Sequence, residues 1–121
     1  MKLAIFGATG RMGLAVARLA HESGDIQLVG AICAGSDANL GRDIGELAGV
    51  GTLGVVTGAD IPSGLLGAEV VIDFSTAKAV VPLLDAAKKQ KVAVVSGTTN
   101  LGEVERAALE VAASKVAVVW A

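Results

Sequence analysis

The spacing of Gly7, Gly10 and Gly13 constrains what this chain can fold into more than any other feature. The glycines follow the apolar run Lys2-Leu3-Ala4-Ile5-Phe6 and open a stretch with helical apolar periodicity. Lys2–Phe6 therefore reads as a strand, Arg11–Ser23 as a helix, and the glycines as the turn between them. Gly7 permits a sharp exit from the strand, Gly10 lets a ligand approach the backbone, and Gly13 lets the helix pack close to the sheet. A strand, a tight turn and a helix N-terminus together aim several N–H groups at one point, where an anion can sit.

The same alternation continues along the chain. Gln27–Cys33 is predicted as a second strand. Residues 34–53 read as loop, with a short helical turn around Asp43–Leu47. Gly54–Thr57 reads as a short third strand and Ala59–Gly64 as a turn. Glu69–Phe74 is a buried strand, and Ala77–Gln90 a helix in which Pro82 fits only in the first turn or at a kink. Lys91–Ser96 and Val116–Trp120 are further strands. Between them Asn100 and Glu103 form a capping box opening a helix with Val104, Ala107, Ala108 and Val111 on one face. On the first helix Met12, Val16 and Leu19 form the apolar face, and Gly24 stops it. Strands alternating with helices imply an α/β fold: one doubly wound, Rossmann-type domain over residues 1–121, with a mostly parallel sheet and helices on both faces. The hydrophobic fraction of 53% supports this, because such strands are covered on both sides. The chain stops at Trp120-Ala121, straight after a core strand, which reads as a cut inside a longer polypeptide.

A net charge of −2 without any block of like charge argues against nucleic acid and acidic membranes as partners. The single cysteine, Cys33, excludes an internal disulfide, and no apolar run approaches the roughly 20 residues of a spanning helix. A cytoplasmic location is expected. No His/Cys/Asp/Glu set has metal-ligand spacing, and no serine has a base partner. His21, the one histidine, reads as a helix-end residue.

The anion that suits Gly7-Ala8-Thr9-Gly10-Arg11-Met12-Gly13 is the pyrophosphate of a dinucleotide. Arg11 at a helix start opposes the helix dipole, and a phosphate ligand would explain its placement. Dinucleotide sites usually carry Asp or Glu at the end of strand two to hold the adenosine ribose. Here that end reads Ile32-Cys33-Ala34-Gly35-Ser36, with no carboxylate before Asp37. The missing acid removes a repulsion against a 2′-phosphate and leans towards NADPH or towards indifference. Arg11 and Arg42 are the only nearby cations to hold such a phosphate, so NADPH and NADH both stay open. Cys33 reads as a small buried hydrophobe. Asp73 either orients a group in the cleft or satisfies strand-end N–H groups, and Asp43 and Glu46, loop residues that could reach a ribose, read better as solvated loop.

The loop resembles the G-A-x-G-R-M-G signature of the dihydrodipicolinate reductase family. Gly45-Glu46-Leu47-Ala48-Gly49, Ile72-Asp73-Phe74-Ser75 and Gly97-Thr98-Thr99 look like three further stretches of that family, in order and at fitting spacing. The resemblance covers the whole chain, but only the family's N-terminal, cofactor-binding half. It implies NADPH or NADH as cofactor, with Gly7, Ala8, Thr9, Gly10, Arg11 and Met12 on the pyrophosphate. It also implies Gly97, Thr98 and Thr99 at the nicotinamide end. Ala121 would begin the hinge over the cofactor, and Phe74 and Ser75 would be second-tier contacts. Cys33 and Ala34 fall where the family often has an acidic and then a basic residue, and Asn100 stands where glycine is usual. The family's second domain, which binds and protonates the small-molecule substrate and builds a homotetramer, has no counterpart here. No catalytic residue is therefore assigned, and the fragment alone is expected to be inactive. A free-standing, non-catalytic dinucleotide-binding module is one alternative. Another is the N-terminal domain of a different two-domain amino-acid-pathway reductase, which would share the first loop but leave Gly97-Thr98-Thr99 unexplained.

Overall fold

In the computed structural model, residues 1–75, 77–96 and 118–120 are described. Strand β1 (Lys2–Phe6) is followed by α1 (Arg11–Ser23), β2 (Gln27–Ile32), α2 (Ile44–Ala48), α3 (Ile61–Gly64) and β3 (Val70–Asp73). Then come α4 (Ala77–Gln90), β4 (Ala93–Ser96) and β5 (Val118–Trp120). The strands form one sheet in the order β2-β1-β3-β4-β5, and every pairing is parallel. The chain leaves β1 towards β2 on one side and later fills the other side, so the order reverses at β1, where open α/β sheets hold ligands.

Alternation along β1 divides the core. Ala4 and Phe6 pack with Leu65, Val71, Val80, Leu83, Leu84 and Val94 on one face. Leu3 and Ile5 pack with Ala17, Ala20, Ala31, Ile44 and Ala48 on the other. Helices α3 and α4 serve the first layer, α1 and α2 the second, which is the doubly wound arrangement expected.

Several sequence expectations are corrected. The buried face of α1 is Gly13, Ala17 and Ala20, whereas Met12 and Leu19 are 54% and 65% exposed. The helix lies so near the sheet that only small residues fit beneath it. A Cβ on Gly13 would stand 2.5 Å from the Gly7 carbonyl oxygen. Residues 54–58 do not form a strand; they make single bridges, Ile32 with Gly58 and Asp43 with Val56. Residues 61–64, read as turn, are the helix α3, capped by the Asp60 carboxylate, which accepts from the Ser63 N–H at 3.0 Å.

Pro82 is the sixth residue of α4, beyond the first turn. It and Lys78, whose carbonyl loses its partner, are both exposed, so the break falls on the solvent side of the helix. Lys91 is not strand either. Its φ of 57° makes it the left-handed residue that ends α4, and the Val92 N–H donates back to the Ala87 carbonyl at 2.9 Å. Gly24 ends α1 in the same conformation, with φ 76°, as its sequence position implied. The capping box at Asn100 and Glu103 and the helix assigned after it lie outside the described residues. Among the described residues no helix is long and apolar enough to cross a membrane.

Candidate functional site

The glycine loop sits where β1 meets the start of α1. Gly7 adopts φ +81°, and a Cβ there would lie 2.9 Å from the Phe74 carbonyl, so this corner admits glycine alone. The Gly7 and Ala8 N–H groups both donate to the Ile32 carbonyl, at 2.9 and 3.0 Å. These bonds tie the loop to the end of β2 and spend both amides inside the protein. Ala8 is fully buried, so of the loop's first residues it is structural.

The next part of the loop is different. Gly10 caps α1 with φ −75° and ψ 170° and supplies no side-chain oxygen to the first turn. The first-turn amides of a helix have no intrahelical acceptor, so those at Arg11 and Met12 remain available to an anion. A Cβ on Gly10 would meet only the Gly7 oxygen, at an ordinary 3.5 Å. The fold itself does not require glycine at this position. Arg11 is exposed.

Beside this loop opens a cleft of about 430 Å³ at the carboxyl ends of β1, β2 and β3. Gly7, Thr9 and Gly10 form one wall; Ile32, Cys33, Ala34, Gly35 and Asp37 form another. Ala59, Ile61 and Ala79 add apolar surface, and Phe74 and Ser75 close the side towards β3. The contribution of Ala59 and Ile61 had no sequence signal, because they come from a segment that read as turn.

One carboxylate, Asp37, lines the cleft, and a second, Asp73, lies buried beside it. Asp37 accepts from the Thr9 hydroxyl at 2.5 Å and from the Asn39 N–H at 2.8 Å. These bonds, the Thr9 bond foremost, hold its carboxyl below the usual carboxylate range. Asp73, wholly buried at the end of β3, accepts from the Ser96 hydroxyl at 2.9 Å and from the N–H and hydroxyl of Ser75. It therefore ties the ends of β3 and β4 together next to the cleft. Burial, reinforced by the negative charge of Asp37, raises the pKa of Cys33, so its thiol stays protonated and acts as a small buried side chain.

Asp43 is neither a cleft residue nor solvated. It is 9% exposed and accepts from the N–H groups of Gly45, Glu46, Leu53 and Gly54, capping α2 and pinning the following loop. Glu46 is exposed and accepts from the Thr52 hydroxyl. Gly97, Thr98, Thr99 and Ala121 lie outside the described residues. Among the described residues no group of His, Cys, Asp and Glu could hold a metal ion.

The donor set, the first-turn amides of α1 beside a cleft with an apolar wall and a carboxylate, suits a dinucleotide. Comparison with known proteins bears on the fold and the family. Among solved structures, an amine dehydrogenase from Mycobacterium smegmatis superposes with a TM-score of 0.69 at 28% identity, over 79% of this chain and 29% of that one. An aspartate semialdehyde dehydrogenase from Candida albicans, 18% identical with a TM-score of 0.64 over 82% of this chain and 30% of that one, shares the fold. The 4-hydroxy-tetrahydrodipicolinate reductase of Alkalilimnicola ehrlichii is 40% identical over 99% of this chain. That of Halorhodospira halophila is 39% identical over 98%. In both cases the chain spans 45% of the relative's length. All of residues 1–121 match the family model described as "Dihydrodipicolinate reductase, N-terminus". With its glycine loop, its sheet order and this match in register, the chain belongs to the dihydrodipicolinate reductase family, of which it represents the N-terminal part.

Proposed function

We propose that this chain is the cofactor-binding half of a reductase that uses NADPH or NADH to reduce 4-hydroxy-tetrahydrodipicolinate in diaminopimelate and lysine biosynthesis. The observation that carries the reading is the Gly10 corner. Glycine is unnecessary there for the fold, and it stands beside helix amides that lack an internal acceptor. A close-lying pyrophosphate accounts for both facts.

In this reading Thr9, Gly10, Arg11 and Met12 hold the pyrophosphate, while Gly7 and Ala8 set the loop's shape. Cys33 and Ala34 flank the adenosine, whose base rests on the apolar wall of Ala59, Ile61 and Ala79. Gly97, Thr98, Thr99 and Ala121 are assigned to the nicotinamide end through the family resemblance. The bound nicotinamide supplies the hydride for the cyclic imine-type substrate. This chain orients the ring and shields it from water, and a second domain binds and protonates the substrate in a cytoplasmic homotetramer.

The test is a fluorescence titration of the chain with NADH and NADPH, alongside Gly10→Ala. The φ and ψ of Gly10 suit alanine, so the variant should melt within a degree or two of the parent. It should nevertheless lose about tenfold or more in cofactor affinity, on the order of 1.4 kcal/mol. Absence of binding to the parent chain at millimolar cofactor overturns the reading.

A further inference from the structure

We propose that Asp37, latched by the Thr9 hydroxyl, accepts the adenosine ribose hydroxyls and makes the cleft selective for NADH over NADPH; this rests on the dinucleotide reading above. The end of β2 offers no carboxylate at Cys33 or Ala34, where a ribose acceptor usually stands. The loop after β2 folds back and brings one from further along. The Asp37 N–H donates to the Ala34 carbonyl at 3.0 Å, and its carboxylate reaches across to the glycine loop.

Oδ2 receives the Thr9 hydroxyl and Oδ1 the Asn39 N–H. A carboxylate has roughly four lone-pair sites, so about two remain for a diol in the cleft that Asp37 lines. Thr9 lies between Gly7 and Gly10, so the latch sets the carboxylate one residue away from the pyrophosphate corner. A ribose attached to that pyrophosphate falls within its reach.

The same carboxylate is ionised at neutral pH, since both hydrogen bonds favour the charged form. A 2′-phosphate would bring a second anion against it. Among the described residues no lysine or arginine lines the cleft, and Arg11, at the start of α1, is assigned to the pyrophosphate rather than to the ribose end. Arg42, the cation nearest in sequence, is engaged elsewhere, with Nη1 donating to Asn39 Oδ1 at 3.3 Å. The missing strand-end acid thus does not open the site to NADPH.

Calorimetric titration with ADP-ribose and with 2′-phospho-ADP-ribose reads the adenosine end without depending on turnover or on the nicotinamide end. The parent chain should prefer ADP-ribose by about tenfold or more. Asp37→Ala should weaken ADP-ribose and strengthen the phosphorylated probe, so that the preference largely disappears. Thr9→Val should weaken ADP-ribose while the melting temperature holds. Should Asp37→Ala fail to fold, Asp37→Asn decides, because it removes the charge and keeps the shape. Equal binding of the two probes by the parent, or an unchanged ratio in Asp37→Asn, overturns the proposal and leaves dinucleotide binding intact. If the parent binds neither probe, the dinucleotide reading falls and the proposal with it.

Discussion

Single side chains do two separable jobs around the cleft, and Asp43 shows the purely structural one. Its carboxylate receives four backbone N–H groups, which hold it below the usual carboxylate range. A depressed folded-state pKa contributes stability above the unfolded value of about 4, and that contribution disappears as pH falls through the folded value. Asp43→Asn should therefore melt several degrees below the parent at pH 7, with the gap closing as the pH falls below about 4. Thermal melts followed by circular dichroism across that range check it; a gap independent of pH would contradict it. Asp37 has the other job, and its role was legible only in part. The sequence shows that Cys33 and Ala34 bring no carboxylate to a ribose. It gives no sign that Thr9, 28 positions away, would reach Asp37. Hydrogen bonds between distant loops leave no periodic trace, unlike the glycines, whose spacing reports local backbone geometry.

Elements were read best where local chemistry sets their ends. Helices α1 and α4 run from Arg11 to Ser23 and from Ala77 to Gln90, the bounds their apolar patterns imply. What periodicity missed was which side of α1 is covered, because the largest side chains do not win where a helix must lie against backbone. Gly13, Ala17 and Ala20 are spaced like an apolar stripe, but they serve by being small. At the other helix, the left-handed conformation of Lys91 carries a cost that glycine would avoid. Lys91→Gly should raise stability by about 0.5–1 kcal/mol, read as a higher denaturant midpoint with an unchanged slope. The side chain is exposed, so no packing is lost in exchange.

At the scale of the molecule, alternation of strands and helices sufficed for the fold class, and the all-parallel order with its reversal at β1 bears it out. The short segments between β2 and β3 were harder. The bridge at Gly58 and the helix α3 are held by tertiary contacts, such as the Cys33 N–H donating to the Gly58 carbonyl, rather than by a repeating pattern. Because the chain spans 45% of its reductase relatives, binding and turnover should separate. The 121 residues should titrate with reduced cofactor yet leave its absorbance at 340 nm unchanged when the substrate is added. Measurable oxidation by this chain alone would place catalytic groups inside it. The Ile32 carbonyl, finally, takes two N–H groups from the glycine loop and so rivets the phosphate corner to the strand that leads to Asp37. An engineer who rebuilds the segment after β2 to switch cofactors will shift that rivet as well, so discrimination and grip will have to be re-optimised as a pair.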